Sequence, residues 1–286
     1  MVHPSSAVLT AFGISSSAKT LPGGTGLCFV ADGIVLKPSD DEEESQWVAH
    51  LTTKMLQYIT GNEYRLTRPI PVARNPDLFV YDGWTADSLL LSDAREPTRF
   101  QHIARLNVSK PLFLTTRRNR FHEADLVTWG EKDLDDVGDV NIEVLSIFKD
   151  ALDHLKRLER PLPTDLACQL IHGDLTGNVL SDSQSEDPPG IIDMTFYWRP
   201  PAYAEAIIVA DGLVWHGQGR GRVEMLGVHK FQLQLLVRAL FWRCVTFAID
   251  PDMAFVRLHV PRVDFRGAAR IVGKLINEAK EANVNV

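Results

Sequence analysis

The residues best suited to chemistry lie in one stretch, His172-Gly173-Asp174-Leu175-Thr176-Gly177-Asn178-Val179-Leu180, followed by Ile191-Ile192-Asp193. Asp174 follows an apolar run and leads into a loop, Asn178 is one short loop further on, and Asp193 leaves a second apolar run. Two strands side by side would aim all three at one point. Two carboxylates and an amide oxygen are hard ligands suited to magnesium, which keeps most of its shell for water and substrate phosphate. A site with so few protein ligands is the kind expected for phosphoryl transfer.

A second group lies near the start of the chain. Pro22-Gly23-Gly24-Thr25-Gly26 separates two strand-like runs, and Lys37 ends the later one. Gly23, Gly24, Thr25 and Gly26 would let backbone N–H groups approach a phosphate, although no Gly-Lys-Ser/Thr follows as a Walker A motif requires. Burying Lys37 requires a partner. Glu42, Glu43 and Glu44 offer one in the next helix, and Glu44, three residues before Trp47, is the favoured choice. As a bare acidic first turn, the three would simply complement the helix dipole.

The elements that must position these residues can be read from periodicity. Val8, Leu9 and Phe12 suggest a short opening helix. Residues 27–31 and 34–37 read as strands joined by Asp32-Gly33, a two-residue hairpin signal. A helix follows, capped by Ser39 with Glu42 as capping-box partner. Its apolar face carries Trp47, Leu51, Met55 and Ile59, and Gly61-Asn62 ends it. Runs 64–72 and 78–81 read as further strands. Beyond Gly83 the texture changes to helices over 142–158, 202–215, 229–249 and 265–282, interrupted by strand-like runs 167–171 and 190–194 with a polar connector, 181–189, between them. The expectation is an α+β chain. Residues 1–83 form a β-rich nucleotide-binding lobe with one helix, and 84–286 a mainly helical lobe carrying the catalytic loop, with a hinge at Asp82-Gly83-Trp84.

This order resembles the aminoglycoside phosphotransferases and the wider protein-kinase-like superfamily, over roughly residues 18–84 and 165–216. The stretch HGDLTGNVL…IIDMTFYWRPPAYAEA is similar to an uncharacterised family best known from actinobacteria. The resemblance implies a bilobal kinase-like fold. Asp174 would be the catalytic base or hydroxyl-orienting residue, Asn178 and Asp193 would hold magnesium, and His172 would mainly support the loop. Lys37 and the Gly-rich turn would hold the phosphates of ATP or GTP, with the base against Gly83 and Trp84. The chain departs from the pattern in two places. Only Leu175, Thr176 and Gly177 separate Asp174 from Asn178, one residue fewer than usual, a shortening that Gly177 could absorb with a positive φ. Where a supporting Asp is common in the next helix, this chain has Glu205, with Asp211 as a competing candidate.

Arg117, Arg118 and Arg120 form a basic run, read either as a solvated loop or as an anion patch. Trp198 and Arg199 would line the substrate side or begin a rigid turn at Pro200-Pro201.

Bulk properties set limits. A chain of 286 residues with 45% hydrophobic and 23% charged residues has material for a large core. A net charge of −7 disfavours nucleic acid as a partner. Cys28, Cys168 and Cys244 are far apart and form no zinc or disulfide pattern, which suits a reducing cytoplasm. Residues 1–17 lack the basic start of a secretory signal, and no apolar run reaches membrane-spanning length. The sequence thus predicts a magnesium-dependent small-molecule kinase acting on a hydroxyl or amine. The alternative is a nucleotide-binding pseudokinase serving as a regulatory module. Oligomeric state is not readable.

Overall fold

A computed structural model of the chain describes residues 3–22, 27–59, 64–90, 94–95, 108–138, 140–181 and 187–284. They divide into two units, one made of Met1–Thr98 with Leu175–Met194 and the other of Arg99–Asp174 with Thr195–Val286. The chain therefore passes between units at Thr98–Arg99, at Asp174–Leu175 and again at Met194–Thr195.

In the first unit, β1 (Lys19–Thr20), β2 (Phe29–Ala31), β3 (Ile34–Pro38), β5 (Val80–Tyr81) and β6 (Trp84–Ser88) form an antiparallel sheet in the order β1-β2-β3-β6-β5. Asp32-Gly33 makes the expected two-residue turn, with φ of 51° and 75°. Both values are positive, as the turn matching strand twist demands. Val8 and Phe12 of α1 (Ser6–Ala11 and its cap) pack with Phe29, Leu36, Trp84 and Ala86 into the unit's core.

Helix α2 (Glu42–Tyr58) buries Leu51 and Met55 as expected, but its N-cap is Asp41. The Asp41 carboxylate accepts the Glu44 backbone N–H at 3.0 Å, while the Ser39 hydroxyl is paired with the Ser45 hydroxyl. The carboxylate cap lies closer to the first helical turn. Gln46 ties α2 to the approach to β5, accepting the Phe79 N–H at 2.8 Å and donating to the Asp77 carbonyl. Gly61-Asn62 lies outside the described residues.

Two strand expectations change here. The run 64–72 contributes only β4 (Arg65–Leu66) and isolated bridges at Pro69 and Val72, because β4 joins a second small sheet with β7 (Ala94–Arg95), β9 (Val179–Ser181) and β10 (Gly190–Ile191), in the order β4-β10-β9-β7. The runs read as neighbouring strands, β8 (Gln169–His172) and β10, are not paired. The partner of β8 is β11 (Phe196–Arg199), and that of β10 is β9 on one side and β4 on the other.

The boundary expected at 83/84 falls at a turn between two strands. Asp82-Gly83 is a second hairpin turn, with φ of 50° and 73°, and Tyr81 pairs with Trp84 across it. Strand β6 then pairs along β3 from Trp84 to Ser88, so this turn lies within the first unit's sheet.

The second unit is mainly helical: α3 (Phe113–Thr116), α4 (Arg120–Thr128), α5 (Ile142–Leu158), α6 (Ala202–His216), α7 (Arg220–Leu226), α8 (Lys230–Ala248), α9 (Met253–His259) and α10 (Phe265–Val284). Helix α8 is buried on nearly every side and touches α4, α5, α6 and α10. That all-round burial is the expected consequence of an apolar run without a polar face.

Candidate active site

Each unit contributes a cluster of its own. In the first, Lys37 sits near the end of β3. The register sets Lys37 opposite Thr85 and Val35 opposite Asp87, so Lys37 and Asp87 are diagonal neighbours on one sheet face. The Lys37 ammonium lies 2.8 Å from Asp87 Oδ2 and 3.6 Å from Asp193 Oδ1. Burial pulls its pKa down, but Asp87 and Asp193 more than reverse this and hold it above the ordinary lysine value. Cys28 adjoins the same charges. Burial raises its thiol pKa, Lys37 lowers it, and Asp193 and Asp87 raise it again.

The partner of Lys37 is therefore a strand carboxylate, where the sequence suggested Glu44. The first turn of α2 is engaged otherwise: Glu42 accepts the Gly83 N–H at 3.1 Å, and the Glu44 backbone donates to its Asp41 cap. Asp87 carried no sequence signal, since its closeness to Lys37 follows from strand register rather than spacing along the chain.

Asp193 has φ 54°, in the left-handed region that a non-glycine residue enters at a cost. The preceding residue, Ile192, donates its N–H to the Asn178 carbonyl at 3.0 Å, and Asn178 donates to the Leu175 carbonyl at 3.0 Å. Asn178 and Asp193 therefore sit at the same end of the β9–β10 pair. Gly177 takes φ 81°, so the short loop closes as its glycine allows. Asp193 leaves 59% of its side chain exposed, and the ammonium beside it already occupies a cation's position. An exposed carboxylate and an amide at the same strand end supply oxygen donors of the kind magnesium takes, while the ammonium beside them supplies none.

In the second unit, β8 ends on His172, which is 2% exposed. Its Nδ1 accepts the Asp174 backbone N–H at 3.0 Å. Gly173 donates to the Thr195 carbonyl, and a Cβ there would drive into the Tyr197 ring. His172 is thus a support for the loop. Asp174 Oδ1 lies 2.9 Å from Arg243 Nη2 on α8. Arg243 also grips Asp211 of α6, with Nε at 2.8 Å and Nη2 at 2.7 Å. Of the two candidates for the supporting acid, Asp211 is the one joined to Asp174, through Arg243. Glu205 lies in the first turn of α6.

Gly83 and Trp84 stand in the hairpin turn described above, with Trp84 buried edge-on against Phe29. Its ring belongs to the sheet's core. Gly23, Gly24, Thr25 and Gly26 lie outside the described residues.

The basic run divides, with Arg117 buried, Arg120 partly buried and Arg118 exposed. Arg117 is 3% exposed and donates to the Phe196 carbonyl, with its guanidinium over the Phe113 and Tyr197 rings. Arg118 donates to backbone carbonyls and Arg120 pairs with Asp250. Arg199 is a bidentate partner of buried Asp125 on α4 and also meets Glu131, so its role is to fasten β11 to α4.

Among the described residues no helix is long and apolar enough to cross a membrane. No family model matches the chain, and no curated protein matches it. Solved structures do. An aminoglycoside phosphotransferase from Alicyclobacillus acidocaldarius is 13% identical, with 96% of each chain covered and a TM-score of 0.52. A spectinomycin phosphotransferase, in complex with ADP and spectinomycin, is 14% identical, covering 94% of this chain and 96% of its own, with a TM-score of 0.51. A thermostable mutant of another aminoglycoside phosphotransferase is 12% identical, covering 92% and 97%, with a TM-score of 0.51. At these identities the likeness concerns the fold: the chain is α+β and kinase-like, with an antiparallel sheet region and a larger helical part.

Proposed function

We propose that this chain transfers the γ-phosphoryl group of ATP or GTP to a hydroxyl or amine of a small molecule, with magnesium. The observation that carries the reading is the meeting of Lys37 and Asp193 at 3.6 Å, with Asn178 tied by its backbone to the residue before Asp193. In this reading Lys37, braced by Asp87, binds nucleotide phosphates, and Asp193 and Asn178 hold the metal. Bound magnesium would offset phosphate charge. Asp174 orients the acceptor. The bond from the γ-phosphorus to the oxygen bridging to the β-phosphate breaks, a bond to the acceptor oxygen or nitrogen forms, and the acceptor's proton passes to Asp174. A small acceptor is favoured because the chain runs from Asp193 through β11 directly into α6 at Ala202, with no long segment for docking a polypeptide. The fold shared with aminoglycoside phosphotransferases supports the same class.

Calorimetric titration with ATP, with and without magnesium, tests the reading. Magnesium-dependent binding that Asp193→Ala abolishes is the expected result. A folded sample that binds no nucleotide in either condition would overturn it. Metal-independent binding without turnover would instead favour a regulatory module.

A further inference from the structure

We infer that Arg243 is the positioning residue for Asp174, an inference that rests on the phosphotransferase reading above. Nothing in the spacing of the catalytic loop points to it, since Arg243 lies far along the chain on α8.

Asp211 is 1% exposed on α6 and takes two of the guanidinium's hydrogen bonds, through Nε and Nη2. This side-on grip fixes the plane of the fork. The Trp242 ring lies 4.5 Å from the guanidinium carbon and restrains it further. The same Nη2 reaches Asp174 Oδ1 at 2.9 Å. Asp174 is thus held by a group whose own freedom has been removed, while 39% of its side chain stays accessible.

Structural burial alone does not explain the arrangement. Arg243 satisfies Asp211 completely, and an arginine serving only Asp211 need not extend to an exposed loop carboxylate. Burial pulls the Arg243 pKa down, but Asp211 and then Asp174 raise it above the usual arginine value, so the cation is permanent. Around Asp174 the titratable and charged groups are His172, which accepts its backbone N–H, Arg243, and Asp211 and Tyr197 beyond them. A fixed cation there keeps the Asp174 carboxylate aligned. That suits phosphoryl transfer, where orienting the acceptor matters more than removing its proton early.

Arg243→Gln alone would strand the Asp211 carboxylate in the core and unfold the unit for that reason. The test is therefore the double variant Arg243→Gln/Asp211→Asn, which removes both charges and leaves groups able to hydrogen-bond. Two quantities are read: ADP release from magnesium-ATP with water as acceptor, and the carbon-13 NMR signal of the Asp174 carboxyl, assigned with Asp174→Asn. The expected result is a folded protein whose KM for magnesium-ATP stays within about threefold while kcat falls at least about tenfold. Its Asp174 carboxyl signal should be displaced from the wild-type position. A folded double variant that keeps both its kcat and its Asp174 signal would overturn the inference. If the wild type releases no ADP, the phosphotransferase reading fails, and the carboxyl signal still decides the Arg243 coupling: a displaced signal supports it and an unmoved one refutes it.

Discussion

Replacing Asp87 by Asn should weaken magnesium-nucleotide binding, although Asp87 belongs to no recognisable motif. The 2.8 Å ion pair with Lys37 is half-buried, with side-chain exposures of 24% and 16%. A charge-assisted hydrogen bond in such a setting contributes about 1–2 kcal/mol, less than a fully buried one because solvent screens it in part. Losing it has a second effect, since Asp193 is the other carboxylate near Lys37, at 3.6 Å. An ammonium released from Asp87 would lean on Asp193 and compete with the metal. At about 1.4 kcal/mol per factor of ten, affinity for magnesium-ATP should fall roughly five- to thirtyfold. Calorimetry on the wild type, Asp87→Asn, Lys37→Met and the double variant forms a cycle that isolates the coupling. If Asp87 acts through Lys37, the double variant binds no worse than Lys37→Met. Binding by Asp87→Asn within twofold of the wild type, or losses that simply add, would refute the reasoning.

Two further perturbations follow from the second unit. Gly173→Ala sets a methyl group against the ring of Tyr197, itself 4% exposed, and should cost about 1–3 kcal/mol of stability in a urea melt; an unchanged midpoint would mean that β8 and β11 separate easily. His122 is held down to about 4 by burial and then by Arg117, against an ordinary value of 6.5. As pH falls below 6.5, the unfolded chain takes up that proton before the folded one does. The stability that neutral His122 contributes is therefore complete above 6.5 and lost between 6.5 and 4, by about 1–2 kcal/mol after allowance for screening. Stability measured across that window should fall less steeply for His122→Gln, and equal slopes would contradict the assignment.

Local signals were legible where a residue's role depends on its immediate neighbours. The helix over 142–158 followed from apolar periodicity, and the one expected over 229–249, found at Lys230–Ala248, from a long apolar run. The Asp32-Gly33 turn followed from its dipeptide, and the φ of Gly177 from the need to close a short loop. The same rule, applied evenly, would have read Asp82-Gly83 as a hairpin too, since both pairs adopt the same positive angles. Helix α4 was missed because its buried positions include His122, Asp125 and Thr128, polar residues that erase an apolar stripe. Arg199 and Arg117 looked like surface chemistry for a related reason: a charged side chain is read as exposed until its partner is known, and Asp125 and the Phe196 carbonyl come from distant parts of the chain.

The sequence by itself supplied the candidates: Asp174, Asn178 and Asp193 are marked by their types and close spacing, and Lys37 by its place at the end of an apolar strand. Tertiary structure alone decided what supports them. Asp87 reaches Lys37 through strand register, and Arg243 with Asp211 reaches Asp174 through helix packing. The physical reason is one of range. Hydrogen bonds and ion pairs act over a few ångströms, and only the folded chain sets which remote residues fall within them.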